Sequence, residues 1–208
     1  VAKDFSEYQV VRDGFAFDPA TTAVLVVDML NDFCEPGGVM ELAPGRDLYP
    51  ALRRLLASAR ARDVPVVWVC DEHPSELDRE FEKRIPHCMA GTWGAQVVDA
   101  LDVEPGDWRI PKRRFSGFFQ TDLDLRLREL GVEHVVVTGV VTNICVRSTV
   151  HDAFFRGYDV IVPRDCVAAT APREQDSTLW DIETHFGTVC ALEDVLGVLA
   201  PEGQPAVG

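Results

Sequence analysis

Apolar runs rich in β-branched residues recur along this chain and set what it can fold into. They are Ala23-Val24-Leu25-Val26-Val27, Pro65-Val66-Val67-Trp68-Val69, Val135-Val136-Val137 and Tyr158-Asp159-Val160-Ile161-Val162. The first is continuous, without polar alternation, and suits a strand buried on both faces of a parallel sheet. Trp108-Arg109-Ile110 and Thr188-Val189-Cys190 are shorter strand candidates. Between the runs the period changes. From Asp47 to Arg62, residues Leu48, Ala51, Leu52, Leu55, Leu56 and Ala59 recur at helical spacing, with Arg53, Arg54 and Arg60 outward. Thr121 is placed to cap a helix with Leu123, Leu127 and Leu130 inward and Gly131 as its stop. Leu179, Ile182 and Phe186 mark another helix, and Leu192, Val195, Leu196 and Leu199 a closing one. Strands alternating with helices predict a parallel sheet covered on both faces, a three-layer α/β/α domain.

The 208 residues suffice for one such domain with a sizeable core. Residues 1–22 read as an N-terminal arm packing through Phe15 and Phe17, and 201–208 as a frayed Pro/Gly-rich tail. No apolar run approaches membrane-span length, and the first residues carry no signal-peptide core. The expectation is a soluble, cytoplasmic protein. A net charge of −14 argues against a nucleic-acid groove, which needs basic patches. The six cysteines, 34, 70, 88, 145, 166 and 190, form no Cys-x-x-Cys pair and are expected to be reduced thiols.

The stretch from Val135 to Thr149 carries the chemistry. A β-branched run stops at Gly139, and a helix is expected to start with Thr142 or Asn143 as its cap. Cys145 then falls in the first turn, where free N–H groups and the helix dipole favour an anion, so its thiol is expected to ionise readily. Val146, Thr149, Val150, Ala153 and Phe154 form the stripe that packs this helix on the sheet, and Gly157 ends it. Asp28 and Lys112 stand just after two other strands. A thiol nucleophile needs a base and a neighbouring cation. Asp28, its pKa raised by burial, suits the base, and Lys112 the cation. Backbone N–H groups of Val141 and Cys145 are candidates for an oxyanion hole. Asp71-x-His73, on one side of an extended segment, and His87 fit either a shared ion or hydrogen-bonded turn residues.

Three blocks carry a resemblance. Val26-Val-Asp28-Met-Leu-Asn-Asp-Phe33, Lys112-Arg-Arg-Phe-Ser-Gly-Phe-Phe-Gln-Thr-Asp122 and Gly139-Val-Val-Thr-Asn-Ile-Cys145-Val-Arg-Ser-Thr-Val-His-Asp-Ala153 resemble the signature blocks of the isochorismatase-like cysteine hydrolases. That family includes nicotinamidases and N-carbamoylsarcosine amidases. The resemblance implies a catalytic triad of Asp28, Lys112 and Cys145, a six-stranded parallel sheet and a cis peptide between Val140 and Val141. It also implies a small-molecule amide substrate, a homo-oligomer, and no organic cofactor. Asp71-Glu-His73-Pro and His87-Cys match the nicotinamidase metal motif, which implies one divalent ion, zinc, iron or manganese. Arg84-Ile85-Pro86 stands where nicotinamidases carry Trp-Pro, which turns the substrate away from nicotinamide. Phe33, Trp93, Phe115 and Phe118 are candidates to line the pocket, or else belong to the core. The expected activity is hydrolysis of a small amide or carbamoyl C–N bond, with nicotinamidase as the competing enzyme reading. A silent binding protein on the same fold is the alternative of another class.

Overall fold

The computed structural model describes residues 16–200. Most of the expected arm, including Phe15, and the tail from Pro201 lie outside the described residues. Phe17 is buried, 7% exposed, as the arm's packing residue should be.

The strands are β1 (Thr22–Val27), β2 (Val66–Asp71), β3 (Trp108–Lys112), β4 (His134–Val140), β5 (Asp159–Pro163), β6 (Val167–Ala168) and β7 (Thr188–Cys190). They lie in the order β3-β2-β1-β4-β5-β7, all pairings parallel, with the two-residue β6 beside β4. The helices are α1 (Asn31–Cys34), α2 (Pro44–Asp47), α3 (Tyr49–Arg60), α4 (Leu123–Glu129), α5 (Arg147–Phe155), α6 (Pro172–Asp181) and α7 (Leu192–Leu199). The main path thus has the six expected strands. β6 adds a seventh, too short to show a pattern.

Successive side chains of a strand point to opposite faces, so each continuous apolar run feeds two cores. Val24, Val26, Trp68 and Val136 pack with Leu52, Leu55 and Leu56 of α3 and Val195 and Leu199 of α7. Ala23, Leu25, Val27, Val69 and Val137 pack with Leu123 and Leu127 of α4 and Val150 and Ala153 of α5. Burying each such Val or Leu contributes roughly 1.5–3 kcal/mol before chain entropy is counted. The three layers result from that arithmetic: neither face of β1 can be left wet.

Several expectations shift. β2 and β3 run on to Asp71 and Lys112, which face each other in register, so Lys112 ends a strand rather than opening a loop. The helix after β4 begins with one π-wound turn, Thr142–Val146, before α5. Its cap residue is Val141, with no side-chain cap hydrogen bond. Thr142 Oγ1 is buried without a hydrogen-bond partner among the described residues, and Asn143 instead binds the Thr170 backbone N–H at 3.2 Å. Phe154 leaves the buried stripe and is 45% exposed, beside Phe155 and Phe186. Leu130 is also partly exposed. Thr121 accepts from Leu123 N at 3.3 Å, as a capping hydroxyl should, although Asp122 occupies the cap position. Gly131 and Gly157 come after their helices with positive φ, as expected of helix stops.

Gly139 is the position where sheet and site meet. Its φ is +99°, and a Cβ there would lie 2.0 Å from the Val27 carbonyl oxygen. Only glycine lets β4 approach the end of β1 this closely. That approach brings the turn carrying Cys145 up to Asp28. The next peptide, Val140–Val141, is cis, as the resemblance implies.

Candidate active site

Asp28, Lys112 and Cys145 come from the carboxyl ends of β1, β3 and β4, where parallel α/β sheets place their chemistry. Asp28 has φ +52°, and its N–H donates to the Val69 carbonyl at 2.9 Å. The bend turns its carboxylate inward, where Oδ1 accepts from Asp71 N at 2.8 Å. Oδ2 lies 2.9 Å from Lys112 Nζ. The same ammonium is 3.6 Å from Asp71 Oδ1 and 3.9 Å from Cys145 Sγ. All three candidate residues are buried, Cys145 the least so at 8% exposed.

Burial opposes every charge in this cluster, and the partners decide each outcome. Burial lifts the Asp28 carboxyl above its usual range, Lys112 pulls against it, and neighbouring Asp71 adds to the rise. Lys112 is itself penalised by burial, but Asp28, Cys145 and Asp71 outweigh that and hold it firmly protonated. The Cys145 thiol goes the other way from expectation. Burial pushes it well above the ordinary thiol range, and the favourable pull of Lys112 does not overcome this. A first-turn position alone therefore does not ionise it. Burial favours the protonated thiol.

Burial also raises the other five thiols, Cys34, Cys70, Cys166 and Cys190 to about 12. All six cysteines are free. Cys145 is the most exposed of them and has Lys112 beside its sulfur. Brief alkylation at neutral pH should label Cys145 first, read by peptide mass mapping. Preferential labelling of Cys34 or Cys88 would count against the triad.

A second cluster adjoins the first. His73 Nε2 lies 3.3 Å and His87 Nε2 3.2 Å from Asp71 Oδ2, and His87 Nε2 is 3.7 Å from Glu80 Oε1. One donor atom from each of Asp71, His73, Glu80 and His87 falls within 4.8 Å of all the others. Four-coordinate ligands at 2.0–2.1 Å from an ion stand about 3.3 Å from one another. The three separations of 3.2, 3.3 and 3.7 Å are of that size, and two imidazoles with two carboxylates form a donor set for zinc, iron or manganese. These residues therefore fit a divalent ion. Glu80 is not legible in sequence: Ser75 to Lys83 reads as a charged surface loop or short helix, and the 3-10 turn that forms there, Arg79–Glu82, brings Glu80 inward.

The loops around both clusters are fastened by buried hydrogen bonds. Asp32 accepts from Cys88 N at 2.7 Å and Val39 N at 3.2 Å, which fixes the turn after His87. Thr149 Oγ1 donates to the Cys145 carbonyl at 2.8 Å and accepts from Gly117 N at 3.0 Å, so the segment after Lys112 is tied to the helix of the thiol. Ser116 Oγ donates to Asp152 in the same layer at 2.5 Å.

Of the candidate pocket residues, Phe33 packs against His87, with ring centroids 5.5 Å apart, at the edge of the Asp71, His73, Glu80 and His87 cluster. Trp93 and Phe115 are 49% and 38% exposed. Phe118 belongs to the core. It is 4% exposed, 5.8 Å from the Tyr158 ring and under the Arg156 guanidinium. A groove of about 610 Å³ lies elsewhere, along the outer edge of β3 between Trp108, Arg109, Gln120 and Arg126. None of the triad candidates lines it, whereas Lys112 lines a smaller cavity of about 290 Å³ with Glu72, Pro74 and Phe119.

Fold and site together define a hydrolase on a parallel α/β/α sheet. The chain belongs to the isochorismatase family: residues 22–194 match the Isochorismatase domain. An isochorismatase-like hydrolase from Alkaliphilus metalliredigens is 34% identical, with a TM-score of 0.83 over 86% of this chain and 100% of that one. N-carbamoylsarcosine amidase from Thermoplasma acidophilum is 33% identical, with a TM-score of 0.75 over 83% and 97% of the two chains. A pyrazinamidase from Pyrococcus horikoshii, in complex with zinc, is 30% identical, with a TM-score of 0.76 over 82% and 99%. No helix among the described residues is long and apolar enough to cross a membrane.

Proposed function

We propose that the protein is a cysteine-dependent amidohydrolase that cleaves a small amide or carbamoyl C–N bond through a thioester. The observation that carries this reading is the buried ammonium of Lys112, 2.9 Å from Asp28 Oδ2 and 3.9 Å from Cys145 Sγ. A carboxylate able to take the proton, a thiol able to attack and a cation between them meet the needs of nucleophilic catalysis.

In this mechanism Cys145 Sγ attacks the carbonyl carbon as its proton passes to Asp28. The new C–S bond puts negative charge on the carbonyl oxygen, which the N–H groups of Val141 and Cys145 receive. The C–N bond then breaks, and Asp28 returns the proton to the leaving amine. Asp28 next takes a proton from water, whose oxygen attacks the thioester, and the sulfur leaves and is reprotonated. Throughout, Lys112 keeps Asp28 in place and offsets whichever negative charge is present. Asp71, His73, Glu80 and His87 would hold a divalent ion, which when bound supplies a Lewis-acid contact that fixes the substrate beside the thiol. Phe33, Trp93 and Phe115 are the pocket candidates that remain.

The metal-ligand cluster favours one second reading, nicotinamidase-type substrates, because the zinc-bound pyrazinamidase is among the similar structures. The aromatic expected before the second histidine is absent, however: Arg84 and Ile85 are exposed, and Phe81 instead packs on the His73 and His87 rings. We place the enzyme in the cytoplasm, which its six free thiols support, as a homo-oligomer by resemblance alone.

Ammonia release across a panel of primary amides, ureido acids and nicotinamide tests the reading. Turnover of at least one member, lost in Cys145→Ala, is expected. Turnover surviving in Cys145→Ala would remove the thioester route, and turnover of none would favour the silent binding protein.

A further inference from the structure

We propose that Asp78 is a positioning residue for the metal site: its carboxylate holds the His73 ring by Nδ1 and leaves Nε2 for the ion. This rests on the metal reading above.

The two histidines present their rings in the same sense. Each Nε2 points at Asp71 Oδ2, and each Nδ1 turns outward. His87 Nδ1 meets the Ile85 carbonyl at 2.8 Å. His73 Nδ1 lies 3.2 Å from Asp78 Oδ2, an ion-pair contact not aligned as a hydrogen bond, no other hydrogen-bond partner meets this nitrogen among the described residues, and both side chains are nearly fully buried. A neutral imidazole with its proton on Nδ1 has its lone pair on Nε2, so whatever accepts at Nδ1 selects the metal-binding tautomer.

The other oxygen of Asp78 does separate work. Oδ1 accepts from Glu80 N at 3.0 Å, capping the 3-10 turn that carries Glu80 inward. It also accepts from Arg114 Nη1 at 2.8 Å. Arg114 stands two residues beyond Lys112, so one carboxylate fixes a metal-ligand ring, starts the turn of a second ligand and is itself anchored to the strand end of the triad lysine. No periodic pattern in the charged stretch around it announces that role.

Capping and ring-holding can be separated by substitution. Asp78→Asn keeps a side-chain oxygen for Glu80 N, since Asn caps as well as Asp. With that oxygen engaged, the amide N–H₂ faces His73 Nδ1 and favours the tautomer protonated on Nε2, which cannot ligate. Asp78→Ser keeps the cap but does not reach the ring.

Zn²⁺ alone is titrated into the full-length protein against a chromophoric chelator, without substrate, and the Tm of the metal-free protein is measured alongside. The wild type should bind one Zn²⁺. Asp78→Asn and Asp78→Ser should each raise Kd by about 10–100-fold, with a metal-free Tm close to wild type. Arg114→Gln should raise Kd less, because it loosens the carboxylate without removing it. Wild-type affinity in both Asp78 variants would confine Asp78 to capping and overturn the proposal, leaving the metal reading intact. A wild type that binds no Zn²⁺ would overturn the metal reading, and the proposal with it.

Discussion

Asp28→Asn should lower kcat by about 10²–10⁴-fold, the range of a lost general acid–base group. The amide can neither take the thiol proton nor return one to the leaving amine. The substitution also meets the local geometry. Its oxygen can still accept from Asp71 N, as Oδ1 now does at 2.8 Å, but an N–H₂ then faces Lys112 Nζ, where Oδ2 now lies at 2.9 Å. The ion pair with the ammonium is lost there, which destabilises the site. The fold should survive, because the ammonium keeps Asp71 Oδ1 at 3.6 Å as a counter-charge. Steady-state turnover of a substrate found by ammonia release, together with a thermal melt, separates the two effects. A folded Asp28→Asn protein that keeps a tenth or more of wild-type kcat would show that another group takes the proton.

The parts legible in sequence are those that strand ends dictate. A continuous run such as Ala23–Val27 suits a doubly covered parallel strand, and the residues after such a strand stand at the sheet's carboxyl edge. That logic reaches Asp28, Asp71, Lys112 and Cys145. It fails where local order has no period. Glu80 and Asp78 sit on a single 3-10 turn inside a charged stretch, and nothing in their spacing separates inward from outward carboxylates. The helix cap departs from expectation: Thr142 and Asn143 are good capping residues, yet Val141 occupies the cap position and the turn that follows is π-wound. Of the two settings open to Phe118 the core is the one it takes, and Phe154 leaves the buried stripe for the surface, since a phenylalanine has no chemistry that tells pocket, core and surface apart. A first-turn position predicts an ionised thiol at Cys145, but desolvation opposes the dipole there and is the largest influence on it. Burial, unlike periodicity, is a property of the assembled fold.

Lys112→Met should be the most destabilising change at the site, by about 3–5 kcal/mol near neutral pH, as expected when one partner of a buried charge pair is removed. For a domain of this size that is a drop in Tm of roughly 10 °C or more. Packing does not account for it, because methionine fills nearly the same volume. Without the ammonium, Asp28 and Asp71 are left as neighbouring buried carboxyls, and the pull that holds the Asp71 carboxyl below its usual range is lost. These charges fix the sign of the pH dependence. In the wild type the folded lysine has a raised pKa, so its contribution is fully present below the unfolded lysine value and fades only in strong alkali. In Lys112→Met the Asp28 carboxyl, already raised by burial, loses the cation that pulls against it, and Asp71 keeps only His73 and His87 against burial, so both carboxyls titrate higher than in the wild type. The variant's deficit is then smallest in acid, below the unfolded carboxyl range, and grows as pH rises through the folded values. Asp28→Asn in the Lys112→Met background removes one of the two stranded charges, so the double variant should melt above the single lysine variant at neutral pH. Melts of the four proteins of this cycle between mildly acidic and neutral pH decide it. A Lys112→Met deficit that does not change with pH, or a double variant no more stable than the single one, would mean that Lys112 is not the counter-charge on which Asp28 and Asp71 depend.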